Sequence, residues 1–240
     1  TAQFYGPDVA NELIHEALAP YPEDLVVVTK IGGTRDATGN WLPAQRPEEL
    51  RQAVDANLAT LGLAALPVLN LGRADPGAVA GTPQDVDFDD QLAAVIELRD
   101  QGTVTSLGLT NVSIQQLDYA LRTVEVVCVQ NRYNLLDRSD EPMVDRCAAM
   151  GIAYMPYFPL GSGIPGQAKV TDDPAVQQVA RQHDSTPAQV GLAWLLAHRP
   201  NLMPIPGTSS VAHLEENLAA ATLDLADSEH EQLNARSPQA

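Results

Sequence analysis

Thr105-Ser106-Leu107-Gly108-Leu109-Thr110 runs through Asn111-Val112 into Ser113-Ile114-Gln115-Gln116-Leu117-Asp118-Tyr119-Ala120-Leu121. A short apolar run thus passes almost directly into an amphipathic segment that opens on serine, a residue whose hydroxyl can cap a helix. The same two-part unit recurs along the chain. The runs Leu25–Lys30, Pro67–Leu71, Thr105–Thr110, Val126–Asn131, Ile152–Phe158 and Met203–Gly207 read as strands. Pro47–Leu61, Asp87–Gln101, Ser113–Leu121, Glu141–Met150, Pro187–His198 and Val211–Ala221 read as helices. Strands that are apolar throughout, alternating with helices, predict a parallel sheet covered by helices. No Gly-x-Gly-x-x-Gly turn follows any strand, which weighs against a dinucleotide-binding doubly wound sheet.

Thr186-Pro187 and Ser113 stand where helices should start, and Gly62 and Gly151 where they should stop. The irregular segments Gly32–Arg46, Arg73–Asp85 and Gly161–Thr171 all follow strand ends, where a (β/α)8 barrel builds its active-site rim. No Pro/Gly-rich linker divides the chain, so residues 1–240 read as one domain. Six strands are counted where a closed barrel of this kind needs eight. The expectation is an α/β (β/α)8 TIM barrel truncated at its N-terminus to about six β/α units, with an open six-stranded sheet as the structural alternative. Such a truncated barrel would expose two sheet edges and aggregate unless a missing segment or a partner covers them.

Composition narrows the partners. Apolar residues make up 45% and charged residues 19%, a globular balance, and the net charge is −17. So acidic a chain repels nucleic-acid phosphates and anionic membrane surfaces, and no apolar stretch reaches the length of a membrane span. Cys128 and Cys147 are too few for a disulfide scaffold, and the natural setting is a reducing cytoplasm. The histidines His15, His183, His198 and His230 lie on helical or polar stretches without metal-ligand spacing, so no metal site is expected.

Polar residues at the ends of buried runs are the candidates for chemistry. Lys30 closes Leu-Val-Val-Val-Thr-Lys, Asn111 follows Ser-Leu-Gly-Leu-Thr, and Gln130 and Asn131 close Val-Val-Cys-Val-Gln-Asn. An ammonium at the end of an apolar strand is costly unless paired or led to the rim. Tyr5, in Phe-Tyr-Gly-Pro before a helix starting near Asp8, becomes a usable general acid if Lys30 meets it and lowers its pKa.

Phe-Tyr-Gly-Pro (4–7), Val-Val-Thr-Lys-Ile-Gly (27–32), Ser-Leu-Gly-Leu-Thr-Asn-Val-Ser (106–113), Val-Gln-Asn-Arg-Tyr-Asn (129–134), Tyr-Phe-Pro-Leu-Gly-Ser-Gly (157–163) and Ile-Pro-Gly-Thr-Ser-Ser (205–210) follow in order over nearly the whole chain. Together they resemble the aldo-keto reductases, nearest the bacterial pyridoxal reductase-like branch through Phe4–Pro7, Trp41–Ala44, Val68–Leu71 and Ile205–Leu214. The resemblance implies a (β/α)8 barrel that reduces an aldehyde or ketone, pyridoxal being the first substrate to try, with NADP(H) ahead of NAD(H) as cofactor. It makes Tyr5 the proton donor and Lys30 its cationic partner. The family's aspartate falls just ahead of Thr1, and its histidine position holds Gly72, leaving Asn70 and Arg73 as the nearest polar groups.

By the same likeness Thr110, Asn111 and Gln130 hold the nicotinamide carboxamide, and Tyr157 stacks on the ring. Leu160, Gly161 and Ser162 run along the pyrophosphate. Gly207, Thr208 and Ser209 receive phosphate at a helix start, and His213, Glu216 and Asn217 flank the adenosine end. Glycine at 207 and histidine at 213 replace a lysine and an arginine of the commoner pattern, which weakens a 2′-phosphate clamp. Trp41, Asn70 and Arg73 are the expected substrate-side residues. The rival reading is a catalytically impaired nucleotide-binding or regulatory module on the same fold.

Overall fold

The computed structural model describes residues 1–73, 84–161 and 168–236. Its contacts gather into two units, Thr1–Val129 and Gln130–Ala240.

The first unit begins with helix α1 (Val9–Leu18), strand β1 (Val28–Ile31) and a short antiparallel hairpin of β2 (Gly33–Arg35) and β3 (Trp41–Pro43). Helix α2 (Pro47–Leu61), β4 (Leu66–Gly72), α3 (Phe88–Asp100), β5 (Val104–Thr110), α4 (Ile114–Ala120) and β6 (Val126–Gln130) follow. The strands lie in the order β1-β4-β5-β6. Parallel registers set Lys30 opposite Asn70 and Asn70 opposite Gly108. Both faces of this sheet are buried, as its unbroken apolar runs require: Ile31, Leu66, Leu69, Leu71, Leu107, Leu109 and Val129 are all essentially inaccessible.

Cap chemistry fixes the helix ends. Ser113 accepts from the Gln116 amide while the Gln116 side chain accepts from Ser113 N, a reciprocal capping box that starts α4. Gly62 and Gly151 stop α2 and the helix Glu141–Met150 with φ of 64° and 69°, the left-handed region that a side chain disfavours.

The second unit holds α5 (Glu141–Met150), β7 (Ala153–Tyr154), α6 (Pro174–Gln182), α7 (Pro187–His198), α8 (Val211–Ala219) and α9 (Asp227–Asn234). Tyr133 donates to Glu141 over 2.5 Å and His198 Nε2 lies 2.7 Å from the same carboxylate, which ties α5 to α7 beneath the buried Trp194.

Several expected boundaries shift. The run Leu25–Lys30 becomes a strand only from Val28, because Leu25 and Val26 are exposed. Ile152–Phe158 yields a two-residue strand, since Pro156 cannot donate to a ladder; beyond it only Arg132 and Tyr157 form a bridge. Met203–Gly207 is not a strand. Pro204 and Pro206 remove its donors, and Met203 N donating to the Tyr154 carbonyl (2.9 Å) and a Tyr154–Leu202 bridge are the pairing seen. The β2–β3 hairpin inside Gly32–Arg46 was expected to be irregular, and α6 and α9 were not expected. Asp173, which caps α6 by accepting from Ala175 N and Val176 N ahead of Pro174, is the signal that could have found it.

Among the described residues no helix is long and apolar enough to cross a membrane, and no group of His, Cys, Asp and Glu could hold a metal ion.

Candidate active site

In the first unit, register does the assembling. Lys30 leaves β1 beside Tyr5, its ammonium 5.2 Å from the centre of the phenol ring. The same Nζ donates to the Thr1 carbonyl at 2.9 Å. The Thr1 nitrogen in turn donates to the Val28 carbonyl at 2.8 Å, laying the first residues along β1. Tyr5 therefore reaches Lys30 because the chain ahead of it is pinned to that strand.

Tyr5 is 39% exposed and belongs to a cluster of three rings. Phe4 meets it edge-on at 5.2 Å, Trp41 meets Phe4 at 4.8 Å, and Tyr5 and Trp41 stand 6.4 Å apart, nearly perpendicular. Trp41 pairs with Arg35 across the β2–β3 hairpin, and the Arg35 guanidinium lies 3.8 Å from the indole centre.

In register with Lys30 the neighbouring strands carry a transverse row of Asn70, Gly108 and Cys128. The Cys128 thiol donates to Asn70 Oδ1 at 3.1 Å, and both side chains are buried. Glycine at 108 makes this possible. A Cβ there would overlap Asn70 Oδ1 and stand 2.5 Å from the Cys128 sulfur.

Burial depresses the Lys30 pKa to about 8, against a smaller opposing pull from Cys128, whose own thiol burial pushes up to about 11. The Tyr5 phenol is raised by burial, and the cation that opposes this rise is Arg35. Sequence reasoning expected Lys30 to lower the phenol pKa. The net shift is upward because desolvation of the phenolate outweighs the neighbouring charge.

Thr110 ends β5, buried and in register with Gly72, and its carbonyl accepts from Arg73 N at 3.1 Å. Asn111 follows with φ 56°, a left-handed turn that asparagine tolerates better than most residues. Arg73 is held by α3: its Nη1 donates to Gln91 at 3.0 Å and its guanidinium lies 5.9 Å from the Phe88 ring.

The remaining residues lie in the second unit. Gln130 closes β6 in a buried position. Tyr157 N donates to the Asn131 carbonyl at 3.0 Å, and its ring meets Phe158 edge-on at 5.2 Å. Leu160 accepts from Val170 N, and Gly161 N donates to Phe158. Gly207, Thr208, Ser209 and His213 are exposed, while Glu216 and Asn217 are half-buried on α8. Ser210 caps α8 by accepting from His213 N at 3.4 Å. Ser162 lies outside the described residues. The structure thus brings Tyr5, Lys30 and Trp41 together and sets Asn70 in the row beside Lys30. It also reveals Arg35 and Cys128, which sequence reasoning did not assign to the site. Antiparallel alternation across Thr34 to Leu42 could have pointed to Arg35.

A family model described as the aldo/keto reductase family matches residues 1–237. The chain is 48% identical over 227 residues to pyridoxine 4-dehydrogenase of Escherichia coli K12, covering 95% of this chain and 77% of that protein. It matches the solved thermostable aldo-keto reductase Tm1743, in complex with the inhibitor epalrestat, at 26% identity and a TM-score of 0.80, covering 98% of this chain and 80% of that one. An aldo/keto reductase from Klebsiella pneumoniae, solved in complex with NADP and acetate, is 22% identical with a TM-score of 0.77, covering 100% of this chain and 80% of that one.

Proposed function

Because this chain belongs to the aldo/keto reductase family, an oxidoreductase family whose (β/α)8-type α/β fold it shares, we propose that it reduces an aldehyde or ketone to the alcohol with NADP(H). Pyridoxal is the first substrate to test, by likeness to the pyridoxine 4-dehydrogenase. The observation that carries the reading is the placement of the Lys30 ammonium against the Tyr5 ring at 5.2 Å, fixed by the Thr1 carbonyl at 2.9 Å.

Tyr5 is half-open to solvent and carries its proton at neutral pH, so it can give that proton to a carbonyl oxygen as negative charge develops there. Lys30, charged below about pH 8, stabilises the phenolate left behind. Trp41 edges the phenol and offers an apolar wall to the substrate. Asn70, bonded to Cys128 in the row beside Lys30, keeps a polar group near the strand position that Gly72 leaves without a side chain.

The residues present fit a dinucleotide in their donor chemistry. Thr110, Asn111 and Gln130 supply a hydroxyl and two amides suited to a carboxamide, and Tyr157 a ring for stacking. Gly207 is open, with nothing within 4 Å of where a Cβ would stand, so a phosphate can approach the α8 start closely. From 207 to 217 the only cationic candidate is His213, beside Glu215 and Glu216, so phosphate recognition there falls to backbone N–H groups and hydroxyls. Bound NADP(H) would supply the hydride.

The test is consumption of reduced cofactor, followed by its absorbance, with pyridoxal and a panel of aldehydes. Turnover lowered by about 10²–10⁴-fold in Tyr5→Phe is the expected result. Tight NADPH binding with no turnover of any carbonyl would overturn the reading in favour of a nucleotide-binding module.

A further inference from the structure

The β2–β3 hairpin carries a cation that the reduction itself does not use. Arg35 and Trp41 are register partners in an antiparallel pair, so both side chains leave the same face of the hairpin. The guanidinium lies 3.8 Å from the indole centre, and its Nη1 donates to the Gly39 carbonyl at 2.6 Å, which fixes its height over the ring. Trp41 in turn stands 6.4 Å from Tyr5. The arginine is therefore one ring away from the proposed proton donor.

Arg46, Arg51, Arg99, Arg132, Arg199 and Arg236 each reach a carboxylate within 4 Å. Arg35 reaches none among the described residues. The carboxylate next to it in sequence, Asp36, is turned into the hairpin loop. It accepts from Thr38 N, the Thr38 hydroxyl, Asn40 N and Asn40 Nδ2, all within 3.0 Å. With Lys30 on the other side of Tyr5, two cations flank the three-ring cluster on a protein of net charge −17. An arginine fork held over an aromatic ring and lacking a carboxylate partner among the described residues is suited to a planar anion, which it can grip through charge-assisted N–H bonds.

We propose that Arg35 is a specificity residue that selects carbonyl substrates bearing an anionic group, a carboxylate or phenolate, seated against the Arg35–Trp41 pair while the carbonyl faces Tyr5. The inference rests on the reductase reading for the carbonyl end and on the hairpin geometry for the anionic end.

A binding measurement separates the two. The protein holds two tryptophans, Trp41 and Trp194, and Trp194 is fully buried, so quenching of intrinsic fluorescence reports on Trp41. The probes are 4-(hydroxymethyl)benzoate and its neutral carboxamide, which need no turnover. The carboxylate is expected to bind about ten- to a hundredfold more tightly than the amide, the range of a charge-assisted hydrogen bond. Arg35→Gln is expected to bring the two ligands to near parity, and Arg35→Lys to keep part of the preference. Should the glutamine variant fail to fold, a salt series on the unsubstituted protein decides the matter, because a charge-based preference must shrink as ionic strength rises. Equal affinities in the unsubstituted protein, or a preference that survives Arg35→Gln, would overturn the proposal. So would an Arg35→Gln variant that loses affinity for NADPH while keeping its preference for the carboxylate. Kinetics with 4-formylbenzoate and 4-formylbenzamide then test the reductase reading alone. Failure to reduce either aldehyde, with the binding preference intact, would refute the reaction and leave the anion site standing.

Discussion

The two units carry their candidate residues in different ways. In Thr1–Val129 the groups are placed by strand register and side-chain contacts: Lys30 against Tyr5, Asn70 against Cys128, Arg35 against Trp41. From Gln130 onward the segment 207–213 sits on exposed turns and on the first turn of α8, with Ser210 and Thr208 bonding only their own neighbours. The first arrangement is rigid, so a changed atom there should alter chemistry or stability sharply. The second has little packing to lose, so changes there should be mild and confined to cofactor affinity.

The largest expected effect is that of Tyr5→Phe, which removes the phenolic proton from the ring cluster while leaving its packing in place. kcat/KM should fall by about 10²–10⁴-fold with an unchanged circular dichroism spectrum. A loss below tenfold would place the proton donor elsewhere.

The pH profile sharpens the same side of the comparison. Lys30 has a pKa lowered to about 8, so raising the pH through 8 removes the charge that stabilises a Tyr5 phenolate. kcat/KM should bend downward near that pH and fall about tenfold per unit beyond it, and Lys30→Arg should move the bend upward. A flat alkaline limb in the unsubstituted protein would separate Lys30 from the chemistry.

Gly108→Ala tests rigidity directly. The new methyl meets the buried Asn70 amide and the Cys128 sulfur, so urea unfolding should show a loss of about 1–3 kcal/mol, the range seen for overpacked cores.

On the other unit, Ser210→Ala removes the hydroxyl that accepts from His213 N and should cost about 1 kcal/mol, the usual value of an N-cap. The smallest effect belongs to His213→Gln. An exposed pair is worth about 0–1 kcal/mol, so KM for NADPH should rise by no more than about fivefold. A much larger loss would mean that this segment recognises phosphate through a charge after all.

Legibility followed the same division. The runs Pro67–Leu71 and Thr105–Thr110 were readable as continuous apolar strands, and the helices Pro47–Leu61, Glu141–Met150 and Pro187–His198 through their cap or stop residues. The hairpin was not, because β2 and β3 are three residues each and neither has a buried face. Cys128 lies in an apolar run and is buried, but its bond to Asn70 depends on a register spanning 58 positions, which no local pattern encodes. Tyr5 and Lys30 were paired by a family motif. Their contact required the Thr1 carbonyl as an anchor, a backbone group that side-chain patterns do not record.

Asn70, Gly108 and Cys128 occupy one notch cut across three strands, and its volume is shared. These positions should therefore drift together through evolution. A homologue that acquires a methyl group at the middle strand must shorten one flanking side chain to remain folded, so Ala at 108 combined with Ser at 70 or Gly at 128 should recover what the single substitution loses.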